Sequence, residues 1–197
     1  MTRASLLMRL RDHGDHSAWR EFVDVYSPVI YGFARKRGLQ DADAADLMQD
    51  VLRSVTGAIS RLDYDPKQGS FRGWLFTITR NKVFNHLSAR RGKARATGDT
   101  ATHAQLSAHP DAGPSLDDTW ENDYRRQIAA LAMNELRAEF QPKTWDAFWR
   151  TAVDGESAGE VASALKMSPG AVYVAKSRVL ARLKEEVQRR LAEDEEE

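Results

Sequence analysis

The chain has 197 residues, 42% of them hydrophobic, and its 29 Lys and Arg equal its 29 Asp and Glu, so net charge alone names no partner. The absence of cysteine excludes disulfides and thiolate metal sites, and no run approaches the ~18 apolar residues that span a bilayer. Length suits one domain or two small ones.

The balance hides a pattern. Residues 1–97 carry 17 Lys/Arg against 10 Asp/Glu, a net of +7; residues 98–123 carry six acids and no Lys or Arg; residues 124–192 carry 12 bases against eight acids, a net of +4; and Glu193–Glu197 are all acidic. Two basic bodies separated and trailed by acidic segments point to a polyanionic partner. The N-terminus has no continuous apolar core of the signal-peptide kind, so a cytoplasmic protein without membrane insertion is expected. His13 and His16, like His103 and His109, form no closed ligand set, so neither metal nor cofactor is expected.

In chain order, Trp19, Phe22, Val23, Tyr26, Val29, Ile30 and Phe33 predict an amphipathic helix, with Pro28 marking a break or kink. Asp41 is a plausible N-cap for a second helix with apolar Ala44, Leu47, Met48, Val51, Leu52 and Val55. On that helix Asp43, Asp46 and Asp50 fall at i, i+3 and i+7, with Gln49 and Arg53 beside them. An isolated acidic stripe is most simply a solvated face. In an otherwise basic domain it is also suited to a basic protein surface.

Residues 61–95 hold nine basic side chains and two acidic ones, interleaved with Tyr64, Phe71, Trp74, Phe76 and Phe84. Cations neutralise phosphates and aromatic rings offer faces to unpaired bases. Residues 63–69 are turn-rich, and a helix starts near Phe71 with Trp74, Leu75 and Ile78 inward. Residues 92–116 are small and polar, punctuated by Pro110, Gly113 and Pro114, and read as a flexible linker.

Beyond it, Tyr124, Ile128, Leu131 and Met133–Leu136 predict a helix, and Pro142 opens another carrying Trp145, Phe148 and Trp149. Ser157-Ala-Gly-Glu160 has capping-box form. Val161, Ala162 and Leu165 follow, Met167 sits in a turn with Lys166 near the usual turn glycine, and Ser168 caps a last helix with Pro169 at its first position. Val172, Ala175, Val179 and Leu183 make its buried stripe. This is a helix-turn-helix, or more blandly a helical hairpin with a solvated basic face. The face opposite the stripe carries Gly170, Tyr173, Val174, Ser177 and Arg178, flanked by Lys176 and Arg182. In a major groove Arg178 would take guanine bidentately and Val174 would touch a thymine methyl.

The expected architecture is all-α: a helical domain at 1–95, an acidic linker at 96–120, a helix-turn-helix domain at 121–192 and an acidic tail at 193–197.

Three segments together resemble a bacterial RNA polymerase sigma factor: Asp46-Leu-Met-Gln-Asp-Val51, Phe71-Arg-Gly-Trp-Leu-Phe-Thr-Ile-Thr-Arg-Asn81 and the helix-turn-helix ending Val172–Leu183. The two-domain layout without a large middle domain is similar to the extracytoplasmic-function (ECF) group, over residues 17–91 (region 2) and 124–191 (region 4). The resemblance implies that Asp46, Gln49, Asp50 and Arg53 bind the β′ clamp helices of core polymerase, and that the second domain meets the β flap. It implies −10 promoter contact by the loop Asp63–Ser70, including Lys67, which matches the loop that captures a flipped base, and by Arg72, Trp74, Arg80, Asn81, Lys82, Arg90 and Arg91. Trp74 is read as core first. For the −35 element it implies Ser168, Gly170, Tyr173, Val174, Lys176, Ser177, Arg178 and Arg182. Asn85 stands where relatives often carry Asp and Ser88 where they often carry Arg. An anti-sigma factor or a kinase is a further partner the group implies, and no catalytic residue is expected. The alternative function is a stand-alone helix-turn-helix regulator binding duplex DNA as a symmetric dimer. A metal-dependent nuclease would need a second carboxylate-bearing element beside the acidic stripe, and none is evident.

Overall fold

A computed structural model of the chain describes residues 3–59, 70–97 and 116–195. Every regular element among them is helical: α1 (Arg3–Leu10), α2 (His16–Lys36), α3 (Asp41–Ile59), α4 (Phe71–Thr97), α5 (Leu116–Leu136), a 3-10 turn (Arg137–Glu139), α6 (Pro142–Ala152), α7 (Ala158–Leu165) and α8 (Pro169–Glu195). No described helix is long and apolar enough to cross a membrane. The chain divides into two compact units, one reaching Gln127 and the other Ile128–Glu196.

In the first unit the apolar stripe of α2 faces α4. Phe22 lies 5.0 Å from Tyr26 and 6.1 Å from Phe71 between ring centres, and Phe33 meets Phe76 edge-on at 5.6 Å. Such pairs add about 0.5–1.5 kcal/mol each beyond area burial. α1, which the sequence reading does not contain, buries Leu6, Leu7 and Leu10. Its Arg9 holds Asp15 through two hydrogen bonds of 2.8 and 3.1 Å, while Asp15 caps α2 by accepting from the Ala18 amide. The Arg9 guanidinium, then the Ala18 amide, hold the Asp15 carboxyl down at about 2.

Pro28 does not break α2, which runs through it. A proline leaves the carbonyl four residues earlier without its helical donor. Here that carbonyl, of Asp24, accepts instead from the side-chain amide of Gln127 at 2.8 Å. Asp41 is not the cap of α3 but its first helical residue, with the Gln40 carbonyl accepting from the Ala44 amide at 2.8 Å. Its carboxylate is taken by Arg35, 2.8 Å away, and by the Tyr31 hydroxyl at 3.2 Å.

α5 starts inside the segment predicted as linker. Trp120 and Tyr124 are buried in the first unit, Trp120 against Phe33 and Phe76 (5.8 and 5.5 Å) and Tyr124 stacked on Tyr26 at 5.8 Å. A boundary at 120/121 therefore falls within one helix, because two aromatic rings one turn apart outweigh the polar composition around them.

In the second unit, Trp145 and Phe148 of α6 join Leu136 and Val179, while Ala147, Val161, Ala162, Val172 and Ala175 pack where α7 crosses α8. The capping box at Ser157 and Glu160 forms as predicted. Lys166 closes the turn at φ 52°, the only described non-glycine with positive φ, so a lysine fills the left-handed position where glycine is usual. Glu186 is buried on α8 and bonded by Arg189 and Arg190, which with some charge from both holds its carboxyl at about 2 against an ordinary 4.5. A depressed carboxyl stabilises the fold above its unfolded pKa, and that gain disappears as pH falls from about 4.5 towards 2. Glu186→Gln is therefore expected to lower stability at pH 7 and to match the parent near pH 2; urea titrations at both pH values check this.

Candidate nucleic-acid interface

α3 presents its polar face because Ala44, Leu47, Val51 and Val55 turn the opposite face into the core. Asp46, Gln49, Asp50 and Arg53 are all exposed on that polar face, and Asp50 and Arg53 pair with each other. The predicted stripe is not uniform. Asp43 leans on α4, with its carboxylate 3.6 Å from His86 Nε2 and 3.4 Å from Arg90. Packing assigns Asp43 to holding two helices together and leaves Asp46 and Asp50 facing outwards.

On α4 the rings separate by function. Phe71 and Phe76 are buried, and Trp74 is half-buried with its ring 5.4 Å from Phe71. Phe84, 47% exposed, is the one exposed ring among the described aromatics of α4. It lies one turn from exposed Asn81 and Ser88 and two turns from exposed Thr77, and the next residue, Asn85, is also exposed. Arg80 is half-buried with its guanidinium 5.7 Å over the Phe76 ring, and Lys82 is also half-buried. Arg72 is turned inwards: its side chain is 17% exposed, its guanidinium lies 4.7 Å over the Tyr124 ring and it reaches Glu121 at 3.9 Å. Arg90 is engaged with Asp43. Lys67 and most of its loop, and the side chain of Arg91, lie outside the described residues.

This surface can stack one base on Phe84 and meet base edges with two side-chain amides, with cations at its margin. The sequence reading names Phe84 only as one of five interleaved rings and does not place it among the −10 contacts. Its spacing gives the clue, since it lies off the Leu75, Thr79, Val83 line that is buried. No described group of three or more His, Asp or Glu side chains is placed to hold a metal ion.

In the second unit, Ser168 caps α8 by accepting from the Ala171 amide at 3.1 Å, and Gly170, Tyr173, Val174, Ser177 and Arg178 are all exposed. Tyr173 and Val174 are 62% and 58% exposed, large for apolar surface on an ordered helix, and they lie directly opposite the buried Val172, Ala175 and Val179. The flanking cations differ from the expectation. Lys176 donates to the Thr151 carbonyl at 3.4 Å, and Arg182 forms a two-pronged pair with Glu139 at 3.0 and 3.2 Å. Both brace α8 within its own unit. Arg178 carries no ion pair among the described residues.

The chain matches the sigma-70 region 2 family over residues 22–93. It is 32% identical over 87 residues to the ECF RNA polymerase sigma factor RpoE of Cereibacter sphaeroides, covering 44% of this chain and 47%, about half, of that protein. It is 31% identical over 179 residues to the ECF RNA polymerase sigma factor SigD of Mycobacterium tuberculosis, covering 88% of this chain and 79% of the relative. The SigD of Mycobacterium bovis matches to the same extent.

Proposed function

We propose a division of labour for this chain, which belongs to the ECF group of sigma-70 family RNA polymerase sigma factors and so has its role in transcription initiation. In this reading α3 grips core polymerase, α4 holds the melted −10 strand, and α8 reads the −35 duplex. The observation that carries it is that each of the three motif-bearing helices turns a polar face outwards: Asp46–Arg53 on α3, Asn81 and the two turns after it to Ser88 on α4, and Gly170–Arg178 on α8.

The physical steps follow from those surfaces. The exposed carboxylates of Asp46 and Asp50 attract a basic partner surface and set the register of docking. Opening a base pair costs a few kcal/mol, which is offset if the freed base gains a stacking ring and hydrogen bonds. Phe84, Asn81 and Asn85 offer both, so binding the single strand displaces the duplex equilibrium towards open DNA. The second unit contributes affinity for duplex on the −35 side. No catalytic residue enters this scheme. A stand-alone duplex-binding regulator would leave the α3 face without use, and the long match to SigD proteins favours the sigma reading.

Run-off transcription with purified core polymerase on a library of genomic promoters tests it. Adding the chain is expected to start transcripts at a defined set of sites, and failure to redirect initiation overturns the proposal. Arg178→Ala is expected to weaken holoenzyme binding to −35-containing duplex by about 1–3 kcal/mol, the worth of one bidentate base contact. Fluorescence anisotropy on promoter and −35-scrambled duplexes checks this, and an equal loss on both would make Arg178 a phosphate contact instead.

A further inference from the structure

In the first unit Arg72, a cation assigned to the −10 strand, is already occupied by the chain's own α5. Glu121 presents a carboxylate 3.9 Å from the guanidinium, and the Tyr124 ring lies under the guanidinium plane at 4.7 Å. A single strand offers an arginine the same two things, an anionic oxygen and an aromatic face. The likeness extends along the helix, because Asp123 pairs with Lys36 on α2. Gln127 is seated on the Asp24 carbonyl that Pro28 leaves without its helical donor.

The seat is firm in its apolar part and incomplete in its polar part. Trp120 and Tyr124 are buried, yet Trp120 Nε1 and Asp123 Oδ2 find no hydrogen-bond partner among the described residues. Buried polar atoms without partners weaken a docked state relative to one that frees them. In the sequence, residues 98–123 carry six acids and no Lys or Arg, the charge of the ligand that α5 resembles.

We propose that the first half of α5, residues 116–127, is a built-in nucleic-acid mimic that covers Arg72 in the free chain and is displaced when single-stranded DNA takes that guanidinium. The inference rests on the −10 assignment of α4 made above. It gives the acidic segment a second task besides tethering. The free chain would keep Arg72 closed while Asn81–Ser88 stays open, and the ionic contact that closes Arg72 would be exchanged for a phosphate contact on promoter opening. Closure is a competition, so its strength enters the apparent DNA affinity directly.

The test uses the full chain and a random-sequence 12-nucleotide single-stranded DNA. Glu121→Gln is expected to raise affinity about three- to fivefold, in keeping with a partly exposed ion pair. Asp117→Asn, which removes the same charge from an exposed position of the same helix, should change it less than about twofold. Tyr124→Leu keeps an apolar side chain, though a smaller one, and removes the ring under Arg72, and should raise affinity at least as much as Glu121→Gln. In an Arg72→Gln background the gains should vanish. Hydrogen exchange should show the amides of 116–127 losing protection when the oligonucleotide is added to the parent chain. Equal gains for Glu121→Gln and Asp117→Asn, gains that persist without Arg72, unchanged protection at saturating DNA, or no binding even by the Glu121→Gln chain would each overturn the proposal. None of these readouts involves polymerase, so they fail separately from the sigma assignment, which stands or falls on core association.

Discussion

Replacing Asp46 and Asp50 together by Lys is expected to abolish association with core RNA polymerase while leaving both units folded. Both side chains are exposed, so neither substitution opens a cavity or buries a charge. The one internal interaction lost is the Asp50–Arg53 pair, an exposed i,i+3 contact. Exposed pairs of this kind contribute a few tenths of a kcal/mol. At the interface the effect is far larger. With Arg53 unchanged, the face turns from two carboxylates and one cation to three cations. Like charges brought together in a complex cost several kcal/mol, so affinity should fall at least about 100-fold. Co-purification with core polymerase, alongside circular dichroism of the free variant, measures both halves of the expectation. Undiminished co-purification with a folded variant would move the polymerase contact away from α3. Asp43 is the internal control. Its carboxylate bonds Arg90 across the two helices and lies 3.6 Å from His86, so Asp43→Asn should loosen α3 against α4 and lower stability without reversing the docking charge.

Phe148→Ala is expected to cost about 3–5 kcal/mol, the usual range for a large aromatic removed from a packed core. Phe148 is 1% exposed and sits among Trp145, Leu136 and Val179, the residues that join α6 to α8. The second unit is small, and small units have total stabilities of only several kcal/mol. One such cavity is therefore enough to unfold much of it at physiological temperature and to remove the proposed −35 binding with it. Trp149→Ala provides the contrast. Trp149 is one position along but 38% exposed, with its ring 6.2 Å from Trp145 at the edge of the cluster. Its loss should cost less than half as much. Urea titration of the full chain followed by circular dichroism separates the two. Equal losses would mean that Trp149 is as much a core residue as Phe148.

Much of the fold was legible because it is written in short-range periodicity. The stripe Val172, Ala175, Val179, Leu183 predicts which face of α8 is buried, and the first three are buried. The capping box at Ser157 needs only four consecutive residues, and it forms. The predicted roles of Asp46 and Asp50 likewise rest on an exposed face that the apolar residues of the same helix define. α1 was missed because eight residues with three leucines give too little repetition to stand out. The start of α5 was missed because Trp120 and Tyr124 are surrounded by acidic and small residues, and composition averaged over such a stretch reads as linker.

The amino-acid order by itself determined the helical class, the caps and turns of the helix-turn-helix, the motifs that mark the family and the outward faces of α3 and α8. These depend on contacts within a turn or two, where the 3.6-residue repeat fixes which side chains share a face. Only the tertiary structure decided which charges and rings remain available. It withdraws Asp43 to Arg90, Arg182 to Glu139 and Arg72 to Glu121 and Tyr124, and it leaves Phe84 open while burying Phe71 and Phe76. Each of those partners lies more than 40 residues away along the chain, or on another helix, so the choice among cations that look alike in sequence is made by packing.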